Sequence, residues 1–104
     1  MNILFIGGAG FIGSSLVKRF VSDRKYLVFI LEPEFANISR LNGYDLTVFR
    51  NSLSNINEVK NILLANNIEV VVHLVSTLIP GSNYDDYVNE FKNVIFPSIE
   101  LMEF

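Results

Sequence analysis

The sequence predicts an α/β fold in which parallel strands alternate with helices. Three observations carry that expectation. Short apolar runs alternate with segments of helical periodicity along the chain, no hairpin signal joins one run to the next, and a cluster of glycines separates the first run from the first helix. Strands that cannot pair through hairpins pair in parallel, and each connection then has to cross over the sheet, most simply as a helix.

The first element is Ile3 to Ile6, an apolar run that meets a glycine turn, the pattern of a strand covered on both faces. From there Phe11, Ile12, Leu16, Val17, Phe20 and Val21 recur at helical spacing and are expected to line one face of a helix ending near Ser22 and Asp23. Lys18, Arg19 and Arg24 fall on its wet side and at its C-terminal end, where positive charge suits the helix dipole. Tyr26 to Leu31 is a second strand, stopped by Glu32-Pro33 because proline cannot continue a buried ladder. Phe35 to Leu41 reads as one short helix, and Asn42-Gly43 marks a turn before a third strand, Leu46 to Phe49.

Ser52 to Asn57 offers several capping side chains, after which Val59, Ile62, Leu63, Ala65 and Ile68 form a modest amphipathic helix ended by Asn66-Asn67. Val70 to Val72 make the fourth strand, which runs into His73-Leu74-Val75 and breaks at Pro80-Gly81. Tyr84, Tyr87, Val88, Phe91, Val94, Ile95, Ile99 and Met102 then share one face of a closing helix, with a kink expected at Pro97. The alternation implies parallel βαβ units with right-handed crossovers, and the expected strand order is 3-2-1-4.

Composition bounds what such a domain does. At 104 residues, 50% of them hydrophobic, the chain is one small domain spanning residues 1–104. The net charge of -3 and the scatter of the basic residues give no footprint for nucleic acid. The absence of cysteine excludes disulfides, thiolate metal sites and cysteine nucleophiles. No segment approaches the roughly 20 apolar residues of a membrane span, and the opening run is too short for a signal peptide, so a cytoplasmic location without membrane contact is expected.

Chemistry concentrates in the turn Gly7-Gly8-Ala9-Gly10-Phe11-Ile12-Gly13. In a Rossmann-type turn the first glycine permits a tight bend, the second lets the backbone approach a pyrophosphate, and the third lets helix and strand pack closely. Gly7, Gly10 and Gly13 can take those roles, with Gly8 adding backbone freedom, although the spacing is one residue longer between the first two glycines than in the common pattern. The open amides at the start of the helix then face the phosphates of a dinucleotide.

Glu32, about 20 residues on, stands where a carboxylate accepts hydrogen bonds from the adenosine ribose hydroxyls. That favours NAD over NADP, because a phosphate on the ribose at ~4 Å would cost about 4 kcal/mol per charge pair at an effective dielectric of about 20. Arg40 or Arg50 would soften the preference by folding over the ribose, and a solvated strand-end acid is the plainer reading of Glu32. His73, among valines, reads as a buried histidine satisfied by backbone rather than a catalytic one. Ser76, Thr77 and Ser82 follow the fourth strand where ligands bind in open α/β sheets, or are ordinary loop hydroxyls. Tyr84, Tyr87 and Phe91 read as core or interface.

Together these residues resemble the extended short-chain dehydrogenase/reductase family, the NAD-dependent epimerases and dehydratases acting on nucleotide sugars. The likeness covers the whole chain and implies a Rossmann-type parallel sheet truncated after the fourth strand and its helix. Gly7 to Gly13 match the family turn, with Ile6 in place of the usual threonine, and the resemblance implies that Phe11 and Ile12 meet the pyrophosphate through backbone amides. Glu32 takes the place of the usual ribose-binding aspartate. Arg50-Asn51-Ser52-Leu53 is similar to the adenine-contacting Gly-Asp-Leu, with Ser52 in place of the acid. Val72-His73-Leu74-Val75-Ser76 is similar to the family strand whose final residues, here Leu74, Val75 and Ser76, pass beside the cofactor, and Asn93-Val94 matches the helix that follows. The loop from Ser76 to Asn83 is similar to the substrate-side loop of a UDP-glucose 4-epimerase-like branch.

The family's catalytic Tyr-x-x-x-Lys pair has no match, since neither Tyr84 nor Tyr87 is followed by lysine four residues on. The resemblance therefore implies the NAD-binding part of an epimerase or dehydratase that binds a dinucleotide without turnover, the nucleotide sugar belonging to a full-length relative. The alternative from another class is a non-catalytic dinucleotide-sensing module. A homo-oligomer through the last helix or the exposed sheet edge is expected in either case.

Overall fold

The computed structural model describes residues 1–74 and, beyond them, Asp85, Lys92, Pro97, Ile99 and Met102. The elements are β1 (Asn2–Ile6), α1 (Phe11–Val21), β2 (Leu27–Glu32), a 3-10 turn (Ser39–Leu41), β3 (Thr47–Arg50), α2 (Ile56–Ala65) and β4 (Val70–His73). The strands form one sheet in the order β3-β2-β1-β4, and every pairing is parallel, as the alternation predicts. The expected closing helix lies outside the described residues, apart from Asp85, Lys92, Pro97, Ile99 and Met102, which have helical backbone.

The topology sorts side chains by parity. β1 is central, and Ile3, Leu4, Phe5 and Ile6 are all buried. Because successive strand residues point to opposite faces, Ile3 and Phe5 join Val28, Ile30 and Val17 in one core, while Leu4 and Ile6 join Phe29, Leu31, Leu53 and Val59 in another. Val17 belongs to α1 and Val59 to α2, so the two helices cover opposite faces. Right-handed crossovers require this, since the chain moves one way across the sheet from β1 to β2 and the other way from β3 to β4. The first core is completed by an aromatic chain, Phe5 edge-on to Phe20 at 5.5 Å and Phe20 edge-on to Tyr26 at 4.9 Å.

Three local expectations differ. Ile12 does not share the buried face of α1 but is 78% exposed. At about 100° per residue it lies about 140° around the helix from Val17, and Ser14 takes the sheet-facing place in the first turn. Phe35 to Leu41 contracts to the single 3-10 turn, because Pro33 to Ala36 closes a β-turn of its own and the Asn37 side chain accepts the Ser39 amide at 2.9 Å. His73 is exposed rather than buried, since β4 is the edge of the described sheet and Val70 and Val71 on it are also exposed. α2 ends as expected at Asn66-Asn67, with Asn67 in the left-handed region at φ 51° and the Asn66 side chain donating to the Ile62 carbonyl.

Candidate functional site

A cleft of about 350 Å³ opens at the carboxyl ends of β1, β2 and β4, lined by Gly7, Ala9, Gly10, Glu32, Ala36, Asn37, Arg40 and Leu74. Its position follows from the topology: the strand order reverses at β1, which has β2 on one side and β4 on the other, and a crevice opens at such a switch point.

The floor is the turn from β1 to α1. Gly7 has φ 85°, a conformation that costs other residues free energy, and its amide still closes the ladder on the Leu31 carbonyl at 3.1 Å. Gly8 does not lie in the left-handed region. Its contribution is spatial: a Cβ there would sit 3.0 Å from Val17 Cγ2, 3.2 Å from Ile30 Cδ1 and 3.2 Å from Phe5 Cβ. Gly13 serves the close packing expected of the third glycine, since its Cβ would meet the Gly7 carbonyl oxygen at 3.1 Å and Gly8 Cα at 3.2 Å. Gly10 differs from Gly8 and Gly13, because a Cβ there would find nothing within 4 Å. Gly10 also lines the cleft.

Gly10 is also the N-cap of α1, with no side-chain cap and no acidic residue in the first turn. The first intrahelical bond runs from the Ser14 amide to the Gly10 carbonyl at 2.8 Å. The amides of Phe11, Ile12 and Gly13 precede it, and helix geometry gives them no intrahelical acceptor. The positive end of the helix dipole thus stands at the cleft with no protein carboxylate in the first turn to neutralise it.

Glu32, the last residue of β2, is the opposite wall. It is not the solvated acid of the plainer reading but 6% exposed, and its Oε1 accepts the Ala9 amide at 2.9 Å. The carboxylate therefore ties the glycine turn to β2 while lining the cleft. Sequence reasoning placed Glu32 but missed this bond, which depends on Ala9 facing the end of a strand 23 residues away. Arg50 does not fold over the cleft; its Nη1 donates to the carbonyls of Pro33 and Ala36, both at 2.8 Å. Arg40 does line the cleft.

The remaining expected residues fall in different places. Leu74 lines the cleft, and its amide extends the β1–β4 ladder to the Ile6 carbonyl at 2.8 Å. Leu53 is buried among Leu4, Ile6, Phe29 and Val59, and the Ser52 hydroxyl pairs with that of Ser54 at 2.7 Å, so neither side chain lines the cleft. Asn51 beside them bonds Glu58 and Asn55. Val75, Ser76 and Asn93 lie outside the described residues, as does the loop to Asn83. Ala36 and Asn37 were not expected at the site; the only sequence signal for them is their position just past the acid that ends β2.

A family model described as the NAD dependent epimerase/dehydratase family matches residues 3–97. The chain belongs to that family. Solved structures agree with this membership. The UDP-glucose 4-epimerase of Thermotoga maritima, solved with UDP-glucose, superposes with a TM-score of 0.84 at 27% identity over 99% of this chain and 33% of its own. Pal from Bacillus thuringiensis gives 0.86 at 27% identity, covering 99% of this chain and 34% of that one. WbmG from Bordetella bronchiseptica, solved in complex with NAD, shares the fold with a TM-score of 0.82 at 20% identity, over 99% of this chain and 33% of its own. No curated protein sequence matches the chain. The chain thus spans about a third of the length of these solved structures and matches the N-terminal region of the epimerases. Among the described residues no helix is long and apolar enough to cross a membrane.

Proposed function

We propose that this chain holds the adenosine and pyrophosphate of NAD, as the cofactor-binding part of a nucleotide-sugar epimerase or dehydratase. The observation that carries the reading is the convergence, on one cleft, of an uncapped helix start, open space at Gly10 and a buried carboxylate at the end of β2. The residues fit the group. A diphosphate needs amide donors that no side chain already occupies, and the first turn of α1 supplies them at Phe11, Ile12 and Gly13. The missing Cβ at Gly10 lets a phosphate come up to the backbone, while Gly7 and Gly13 keep turn and helix close enough for those donors to converge.

Glu32 accepts hydrogen bonds from the ribose hydroxyls and, already tied to Ala9, is held in place for that role. Ser52 and Leu53 serve the adenine end through backbone, since their side chains are engaged elsewhere. Leu74 meets the cofactor where it lines the cleft, and Val75, Ser76 and Asn93 are assigned to the same site by the family resemblance. When bound, NAD supplies a hydride acceptor that takes and returns hydrogen at a sugar carbon. The residues described here bind and orient it.

The test is discrimination between the two dinucleotides. Titration of the chain with NAD and NADP is expected to show NAD binding at least about tenfold tighter, because a 2′-phosphate would meet the Glu32 carboxylate. Glu32→Gln keeps an acceptor for Ala9 and removes the charge, so the ratio should collapse towards unity. Equal or tighter NADP binding by the unaltered chain would refute the reading.

A further inference from the structure

The wall of the cleft that follows β2 has only a β-turn and the one 3-10 turn of its own, and it is pinned at three points. Glu32 fixes its start in the sheet, where it is the register partner of Arg50 in β3. Leu41, 4% exposed, anchors its far end in the core. Between them, Arg50 reaches back from the end of β3 and donates from Nη1 to both the Pro33 and the Ala36 carbonyl oxygens at 2.8 Å. Those residues are the first and last of the β-turn closed by the Ala36 amide on the Pro33 carbonyl at 3.1 Å. Nη1 carries two hydrogens, one for each carbonyl, so a single guanidinium nitrogen fixes the span of the turn. Bonds from a charged donor are about twice as strong as neutral ones, and both are spent on backbone.

Ala36, held by the clamp, and Asn37, next to it, line the cleft with Gly10 and Glu32, whereas Arg50 itself does not. We infer that Arg50 is a positioning residue for the adenosine half of the cofactor: by holding the Pro33 and Ala36 carbonyls it sets the wall at Ala36 and Asn37 against the glycine turn. This rests on the reading of the cleft as an NAD site. One strand pairing, Glu32 opposite Arg50, then places both the ribose acceptor and the clamp that shapes the wall beside it. The positive charge of Arg50 is committed to the turn, which leaves the preference set by Glu32 intact.

The experiment uses the 104-residue chain, Arg50→Met and Arg50→Lys. Amide hydrogen exchange in the absence of ligand reads the clamp, and calorimetric titration with ADP and with NAD reads its consequence. In Arg50→Met, exchange at Ala36 is expected to rise by about tenfold while amides of β1 and β2 are unchanged, and affinity for ADP and NAD to fall together by about tenfold. Arg50→Lys, which keeps a charged donor on a shorter stem, should recover part of both. Unchanged exchange at Ala36, or unchanged affinity for ADP and NAD in Arg50→Met, would overturn the positioning role alone. Failure of the unaltered chain to bind either ligand would overturn the NAD reading and this inference with it.

Discussion

Replacing Gly8 with alanine tests whether this glycine is present for space rather than for backbone freedom. A methyl group there would press on Val17 Cγ2 at 3.0 Å and on Ile30 Cδ1 and Phe5 Cβ at 3.2 Å. Val17, Ile30 and Phe5 are all fully buried, so none can swing into solvent, and the Cβ of Phe5 is fixed to its strand. Ordinary contacts between such carbons lie near 3.5–4.0 Å, so α1 has to move away from the sheet by a few tenths of an ångström. Overpacking of this kind costs about 1–3 kcal/mol. Loss of unfolded-state freedom on replacing glycine returns about 0.4–1 kcal/mol. The net destabilisation is about 1–2 kcal/mol, which for a domain of this size lowers the melting temperature by about 5–15 °C.

The matched control is Gly10→Ala, two residues along, where a Cβ meets nothing within 4 Å and φ is -72°. There the unfolded-state gain is offset by the poorer capping of alanine, and stability should stay within about 0.5 kcal/mol of the unaltered chain. Thermal melts followed by circular dichroism compare the pair. Equal melting temperatures for Gly8→Ala and Gly10→Ala would refute the assignment of Gly8 to close packing.

Two other stability predictions follow from the same turn. Gly7→Ala forces a Cβ into the left-handed region at φ 85° and should cost about 1–2 kcal/mol in urea unfolding. Glu32→Ala strands the buried Ala9 amide and should cost about 1–3 kcal/mol, whereas Glu32→Gln, which keeps an acceptor, should cost less than half as much; equal losses would deny the bond a structural role.

Much of this fold was legible because its strands are short apolar runs with no choice of face. Ile3 to Ile6 and Val28 to Leu31 are buried on both sides, so they read as continuous hydrophobic segments, and their parallel pairing follows from the alternation with helices and the lack of hairpin signals. The roles of Gly7 and Gly13 were legible for a similar reason: a strand, a turn and a helix in immediate succession leave few geometries. Phe35, Ile38 and Leu41 misled because their spacing of three mimics a helix, while the turn opened by Pro33 and the Asn37 cap decide the local backbone first. Ile12 misled because hydrophobicity in the first turn of a helix does not say which way the helix is rotated on the sheet. The Ala9–Glu32 bond, the spatial role of Gly8 and the Arg50 clamp each join segments distant in sequence, and only the packed sheet brings them together.

The central claim is that the open backbone at Gly10 receives a dinucleotide pyrophosphate. The most direct measurement is calorimetric titration of NAD into the unaltered chain and into Gly10→Val, whose extended backbone valine can adopt without strain. Two lost amide–phosphate bonds, each worth about 1.5–3 kcal/mol, predict saturable binding by the unaltered chain and at least about 100-fold weaker binding by the variant, with melting temperatures within a few degrees of each other. NAD binding of equal strength by both proteins, or by neither, would contradict the account.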